Sequence, residues 1–187
     1  MPDVFVNQAL NYKNQYIIPY KNLENGGYIF DYKIDREFFE KIETSEVNDG
    51  YLEMRIQMQK ITSSLILEYE MKGQVSVQCD RCLDYFSTRL SFTGKAKVVF
   101  EENLEEVDKE TDLIYLSPEA EELDLSGFIY ESILVNLPVQ KFHPDDEKGR
   151  STCNKKMLDL LKNHSGRKKK EEIDPRWEQL LKYKNLN

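Results

Sequence analysis

The sequence predicts an α+β protein, built on an antiparallel β-meander that forms a barrel-like or curved sheet with a few peripheral helices. A long central region alternates apolar and polar residues, which is the period-two pattern of half-buried strands. The connections between these strands are short, as antiparallel hairpins require. The chain has 187 residues, 40% of them hydrophobic, which is enough for a core without disulfide staples.

The first fifty residues predict two short strands and a helix. A strand is expected near residues 16–19, a turn at Asn25-Gly26-Gly27 and a second strand over residues 28–34. Asp35 is the expected N-cap of a short helix. Asn48-Asp49-Gly50 has the composition of the next turn.

The middle of the chain predicts the meander itself. Leu52, Met54 and Ile56, for example, alternate with charged or amide residues. Gly73 predicts a bend within this region. The alternation defines five stretches of strand: 52–59, 65–71, 75–79, 86–92 and 96–100.

The remainder of the chain predicts one long loop, one strand and several helices. Residues 101–112 are too acidic for a core and predict an exposed loop before a strand over residues 112–116. Apolar residues at helical spacing predict a helix over residues 124–137, capped by Asp124 and ended by Pro138. Residues 1–143 are therefore expected to form a β-rich core domain. Residues 144–187 are expected to form a charged, partly flexible tail that ends in a short helix.

The charge distribution is strongly asymmetric. The chain has a net charge of −8, yet residues 101–124 carry eleven acidic side chains against one lysine. Residues 141–170 carry ten basic side chains against four acidic ones. An acidic chain is unsuited to indiscriminate nucleic-acid binding, whereas a basic tail on an acidic body is common in proteins that contact RNA locally.

The N-terminus and the cysteine count predict a cytoplasmic protein. The first ten residues lack the basic and apolar regions of a secretory signal, and no apolar run is long enough to span a bilayer. Three cysteines are too few for a disulfide framework. In a reducing compartment, a close cysteine pair indicates metal binding or redox chemistry.

Cys79-Asp80-Arg81-Cys82 forms such a pair between two predicted strands, and we call this segment the knuckle. Two thiolates at this spacing converge on one point and make half of a zinc site, which needs two further ligands. His143 and Cys153 follow the predicted helix and can supply them, so Cys79, Cys82, His143 and Cys153 are the candidate zinc ligands. The alternative is a pair of reduced thiols that bind nothing. A thioredoxin-like redox role is less consistent with this sequence. The thioredoxin cysteine pair lies at the start of a helix, whereas predicted strands flank this pair on both sides.

The knuckle also resembles a known family. Residues 77–83 are similar to the centre of the YceD family, the large ribosomal RNA subunit accumulation proteins. Residues 131–139, with their Leu-Pro end, and the following His143 and Cys153 are similar to the family's next block, and residues 174–181 to its C-terminal helix. Many members carry a second cysteine pair there, whereas this chain has only Cys153. The resemblance implies a non-enzymatic role in accumulation of large-subunit (23S) ribosomal RNA.

The first functional hypothesis is therefore a ribosome-biogenesis factor that binds a large-subunit RNA precursor or a ribosomal protein. Arg81 is a candidate contact because it is held between two cysteines. Basic side chains of the tail could contact phosphates, which would make binding salt-dependent; the alternative is a merely solvated tail. The acidic stretch from Glu101 could instead dock a basic ribosomal protein. The basic candidates are Lys155, Lys156, Lys162, Arg167, Lys168, Lys169 and Lys170.

Two other hypotheses remain. One is a thiol-dependent or metal-dependent enzyme, although the chain has none of the common nucleotide, hydrolase or metalloprotease motifs. The other is a structural docking module, in which Trp177, Leu180 and Leu181 at helical spacing anchor a partner protein. The same stripe could equally pack onto the protein's own sheet.

Overall fold

The structure is a computed structural model that describes residues 6–7, 16–62, 64–100 and 113–164. The chain divides into two compact units. The first unit comprises residues 1–80 and 85–141, and the second comprises residues 81–84 and 142–187. The division into a core domain and a tail at residue 143 stays a prediction, because compactness alone does not define an independently folding domain.

The first unit contains a six-stranded sheet and a two-stranded sheet. The larger sheet has the order β1-β3-β4-β5-β6-β7, and β2 pairs with β8. The strands are β1 (Val6–Asn7), β2 (Ile17–Ile18), β3 (Gly26–Ile34), β4 (Val47–Ile61), β5 (Ser64–Gln78), β6 (Tyr85–Phe100), β7 (Leu113–Leu116) and β8 (Leu123–Asp124).

The predicted α+β class and its antiparallel meander are confirmed. Strands β3, β4, β5 and β6 pair with one another in chain order, and every pairing is antiparallel. Both outer strands run parallel to their neighbours, which makes the sheet mixed. Among the described residues β1 pairs only with β3, and β7 only with β6, so the strand order is open there rather than closed into a barrel.

Alternating burial explains why these segments form strands. Leu52, Met54 and Ile56 of β4 are buried, while the residues between them are exposed. The register aligns Met54 with Met71 of β5, and Met71 with Phe92 of β6. Each strand therefore presents one apolar face to the same core, and burial of that face drives sheet formation.

Three glycine-based predictions differ from the structure. Gly26 and Gly27 are paired residues of β3 and do not lie in the predicted turn. Asn48-Asp49-Gly50 lies inside β4 at a register shift, not in a turn. A Cβ at Gly50 would lie 3.0 Å from side-chain atoms of Phe39 and Val75, so this glycine permits close packing. Gly73 lies inside an uninterrupted β5 with φ of +152°, where a Cβ would clash with the carbonyl oxygen of Tyr51.

Two helices belong to the first unit, and the predicted N-cap is confirmed for one of them. In α1 (Arg36–Glu40), the Asp35 carboxylate accepts the backbone N–H of Glu37 at 3.1 Å, as predicted. In α2 (Ser126–Val135), the N-cap is Leu125 and not the predicted Asp124, because the Leu125 carbonyl accepts the first helical N–H, that of Ile129. The Asp124 carboxylate lies just before the helix and accepts the N–H of Ser126 at 2.8 Å. A one-turn 3-10 helix spans Tyr20–Asn22. These elements bury their apolar residues in the same hydrophobic cluster as the sheet.

The second unit contains α3 (Lys155–His164) and an isolated bridge between Asp145 and Ser151. The helix lies within the segment for which the sequence predicts a charged, partly flexible tail. The acidic loop over residues 101–112 and the terminal helix over residues 174–181 lie outside the described residues. Within the described ranges, every helix is too short or too polar to traverse a lipid bilayer.

Candidate metal centre and knuckle

The knuckle occupies the turn between β5 and β6. Cys79 is 0% exposed and Cys82 is 1% exposed, so both thiol groups face inward. Leu83 follows with φ of +64°, in the left-handed region that a leucine rarely adopts. Such a conformation costs about 1–3 kcal/mol and persists only where the surrounding structure imposes it. The knuckle is therefore a constrained turn that directs two cysteines to one side.

The four predicted ligands lie close together. One donor atom each from Cys79, Cys82, His143 and Cys153 falls within 4.8 Å of all the others. The Nδ1 atom of His143 lies 3.4 Å from Sγ of Cys82 and 3.8 Å from Sγ of Cys153. Cys153 is 3% exposed, and His143 is half-buried. We call these four residues the Cys/His cluster.

The spacing of the Cys/His cluster fits a tetrahedral zinc ion. Zinc bonds of about 2.3 Å to sulfur and about 2.0 Å to nitrogen place a sulfur and a nitrogen ligand about 3.6 Å apart. The two separations measured from His143 bracket this value. Three thiolates and one imidazole form a recognised structural zinc set. The donor types and these two separations are thus compatible with a bound zinc ion.

A tight turn between His143 and Cys153 returns the chain so that both can join the cluster. The Asp146 carboxylate accepts the backbone N–H groups of Lys148 at 2.9 Å and Arg150 at 2.8 Å. The Arg150 backbone N–H, aided by that of Lys148 and by the Arg150 side chain, lowers the pKa of Asp146. The carboxylate is therefore ionised over a wide pH range and keeps this turn closed.

Asn154 ties the start of α3 to the knuckle. Its side-chain oxygen accepts the N–H of Lys156 at 3.1 Å, and its carbonyl accepts the N–H of Leu158 at 3.0 Å, as at a helix N-cap. Its amide group donates to Asp84, at the end of the knuckle turn, at 2.9 Å. The segment that carries Cys153 is thereby held on both sides.

Arg81 is exposed and lies against an aromatic ring. Its guanidinium carbon is 4.6 Å from the ring centroid of Phe142, and its Nη1 donates to Ser151 Oγ at 3.4 Å. Sequence reasoning selected Arg81 but missed Phe142 and Ser151. The sequence held one signal for Phe142, which is that it immediately precedes the predicted ligand His143.

The other predicted contacts are only partly covered by the structure. Lys155, Lys156 and Lys162 are exposed on α3. Over its full sequence, the second unit has thirteen basic and nine acidic side chains, whereas the first has thirteen basic and twenty-five acidic ones. The predicted contacts outside the described residues are Arg167, Lys168, Lys169, Lys170, Trp177, Leu180 and Leu181.

Comparison with known proteins identifies the family. A family model described as large ribosomal RNA subunit accumulation protein YceD matches residues 67–184, which is more than half of the chain. The matched region contains the knuckle and all four residues of the Cys/His cluster. No match was found among curated proteins or among solved structures. The chain therefore belongs to the YceD family of large ribosomal RNA subunit accumulation proteins, as the resemblance of its knuckle predicted.

Proposed function

We propose that this protein is a non-enzymatic, cytoplasmic ribosome-biogenesis factor that supports accumulation of 23S ribosomal RNA by binding an RNA precursor or a ribosomal protein. Its membership of the YceD family carries this proposal, because the family description names large-subunit RNA accumulation. The charge of the two units adds a second argument. A net charge of +4 on the second unit, against −12 on the first, favours RNA contact through the second unit.

The proposed cofactor is a structural zinc ion held by Cys79, Cys82, His143 and Cys153. When bound, zinc supplies a closed four-ligand crosslink between the knuckle and the segment that contains His143 and Cys153. A catalytic zinc site normally keeps one position open for water or substrate. Four converging protein donors therefore favour a structural role over the alternative of a metal-dependent enzyme.

Depletion of the protein in its own host tests the cellular role. We expect the ratio of mature 23S to 16S RNA to fall, and expression of the wild-type chain to restore it. A Cys82→Ser variant, which removes one cluster ligand, should restore the ratio poorly. An unchanged RNA ratio after complete depletion would contradict the proposed function.

A pull-down with RNase treatment identifies the partner class. If the protein binds RNA, large-subunit precursor RNA copurifies with it, and ribosomal proteins disappear from the eluate after RNase. If the partner is a ribosomal protein, that protein stays bound after RNase. If neither precursor RNA nor a ribosomal protein copurifies, the direct contact that we propose is contradicted.

A further inference from the structure

We infer that Arg81 and Phe142 form a stacking platform for an unpaired nucleobase, so that the second unit takes up single-stranded RNA. This inference rests on the proposed function and specifies its RNA contact. It names a ligand chemistry, an unpaired base, and the two side chains that would receive it.

The guanidinium group of Arg81 lies over the aromatic ring of Phe142. The guanidinium of Arg81 lies 4.6 Å from the centroid of the Phe142 ring, within the range of a cation–π contact. Arg81 is exposed and Phe142 is 36% exposed, so the pair remains accessible to a ligand. A guanidinium is a flat, delocalised cation, and arginine planes and aromatic rings are the surfaces on which proteins stack unpaired RNA bases.

The Cys/His cluster positions both members of the pair. Arg81 immediately precedes Cys82, and Phe142 immediately precedes His143. Ser151, which accepts a hydrogen bond from Arg81, lies two residues before Cys153. Each residue of the platform is thus within two residues of a cluster ligand. A surface fixed in advance loses less conformational entropy when a ligand binds, so this arrangement favours recognition.

Charge and shape together favour RNA over a protein partner. The excess of basic side chains in the second unit attracts any polyanion, including an acidic peptide. A flat guanidinium on an aromatic ring, however, offers a plane for stacking rather than a pocket for a carboxylate. Lys155 and Lys156 are exposed in the same unit and can contact the phosphates of the strand.

Three fluorescent RNA probes of equal length, about 12 nucleotides, test this on the full-length protein. They are a single-stranded oligoadenylate, the same strand with abasic sugars, and a duplex of mixed sequence. We expect the oligoadenylate to bind most tightly and the abasic strand about five- to a hundredfold more weakly, the range of one base–aromatic stack.

Variants separate stacking from simple charge. Arg81→Lys keeps the positive charge and loses the planar group, so affinity for oligoadenylate should fall about five- to a hundredfold while the salt dependence stays unchanged. The same variant should bind the abasic strand as the wild type does. Phe142→Leu should also weaken oligoadenylate binding. Arg89→Lys on β6 is the matched control and should leave binding unchanged.

Two results would overturn the inference. Equal binding of oligoadenylate and abasic RNA by the wild type would show that only phosphates are contacted. Full retention of oligoadenylate affinity by Arg81→Lys would also show that no base stacks on Arg81. This conclusion does not depend on whether Phe142→Leu folds. Either result leaves the proposed function standing. Capture of a ribosomal protein with no binding of any RNA probe would overturn the inference and also the RNA arm of the proposed function.

Discussion

The two units of this chain hold their structures by different means. In the first unit, 25 described residues from the sheets and helices form one hydrophobic cluster. In the described part of the second unit, the buried side chains are those of Cys82 and Cys153. The first unit therefore depends on many apolar contacts, and the second on a few ligand atoms. Substitution of a single core residue should therefore remove only part of the stability of the first unit. Loss of a single cluster ligand should remove nearly all of the order in the second unit.

Helix α3 illustrates the contrast. None of its residues is buried, and Leu160 and Leu161 are about half exposed. Short helices are marginally stable without packing, and small modules commonly use a metal or disulfides in place of a core. Order in the described part of the second unit is therefore expected to follow the state of the Cys/His cluster.

The largest effect on the first unit is expected from Gly73→Ala. The new Cβ would clash with the carbonyl oxygen of Tyr51, and φ of +152° disfavours any side chain. We expect the free energy of unfolding to fall by more than about 4 kcal/mol in urea denaturation. Gly127→Ala in α2 is the control, because no atom lies within 4 Å of its new Cβ. It should raise stability by up to about 1 kcal/mol.

Truncation of the sheet core should have the next largest effect. Leu67 is fully buried, and Leu67→Ala removes its contacts and leaves a cavity. We expect a loss of about 2–5 kcal/mol in the free energy of unfolding, measured in the same way. Lys72→Ala, at an exposed position of the same strand, should change stability by less than about 0.5 kcal/mol. Equal losses for both variants would contradict a core built on alternating burial.

The smallest effect concerns Tyr16 and appears at alkaline pH. Its hydroxyl donates to the Lys33 carbonyl at 2.9 Å. Burial, with added repulsion from Asp35 and Glu37, raises the pKa of Tyr16 from 10.0 to about 12. The folded state thus favours the protonated phenol. This contribution is fully present below pH 10 and is lost as the pH rises towards about 12.

Tyr16→Phe should therefore lower stability by about 1 kcal/mol at neutral pH through loss of the hydrogen bond. It should also make stability fall less steeply between pH 10 and 12. Urea denaturation at several alkaline pH values measures both effects. Burial also raises the pKa values of Tyr20 and Tyr32, so the slope should decrease without vanishing. An unchanged slope would contradict the role assigned to Tyr16.

The two units also differ in what their sequence reveals. The strands of the meander were predictable because Leu52, Met54 and Ile56 alternate with polar residues within a single segment. The pairing of β2 with β8 was not, because two-residue strands carry no periodicity. Gly50 and Gly73 were interpreted as turn residues, although they permit close approach of neighbouring atoms. A glycine in isolation does not distinguish these two uses.

For the Cys/His cluster, residue chemistry and not periodicity carried the prediction. The chain has three cysteines and two histidines, so a search for thiol and imidazole donors narrowed the candidates to Cys79, Cys82, Cys153, His143 and His164. Their convergence is what the structure adds. The cation–π contact of Arg81 with Phe142 was not predictable, because the two residues are distant in the chain and no local pattern links them.

The most direct test of the contrast between the units is amide hydrogen exchange on the purified protein, with its metal content measured before and after treatment with a zinc chelator. We predict one zinc ion per chain. We also predict that chelation accelerates exchange over residues 153–164 while β4 and β5 keep their protection, because the sheet does not depend on the cluster. A protein that contains no metal as purified, with the same protection in α3 whether or not zinc is added, would contradict this account.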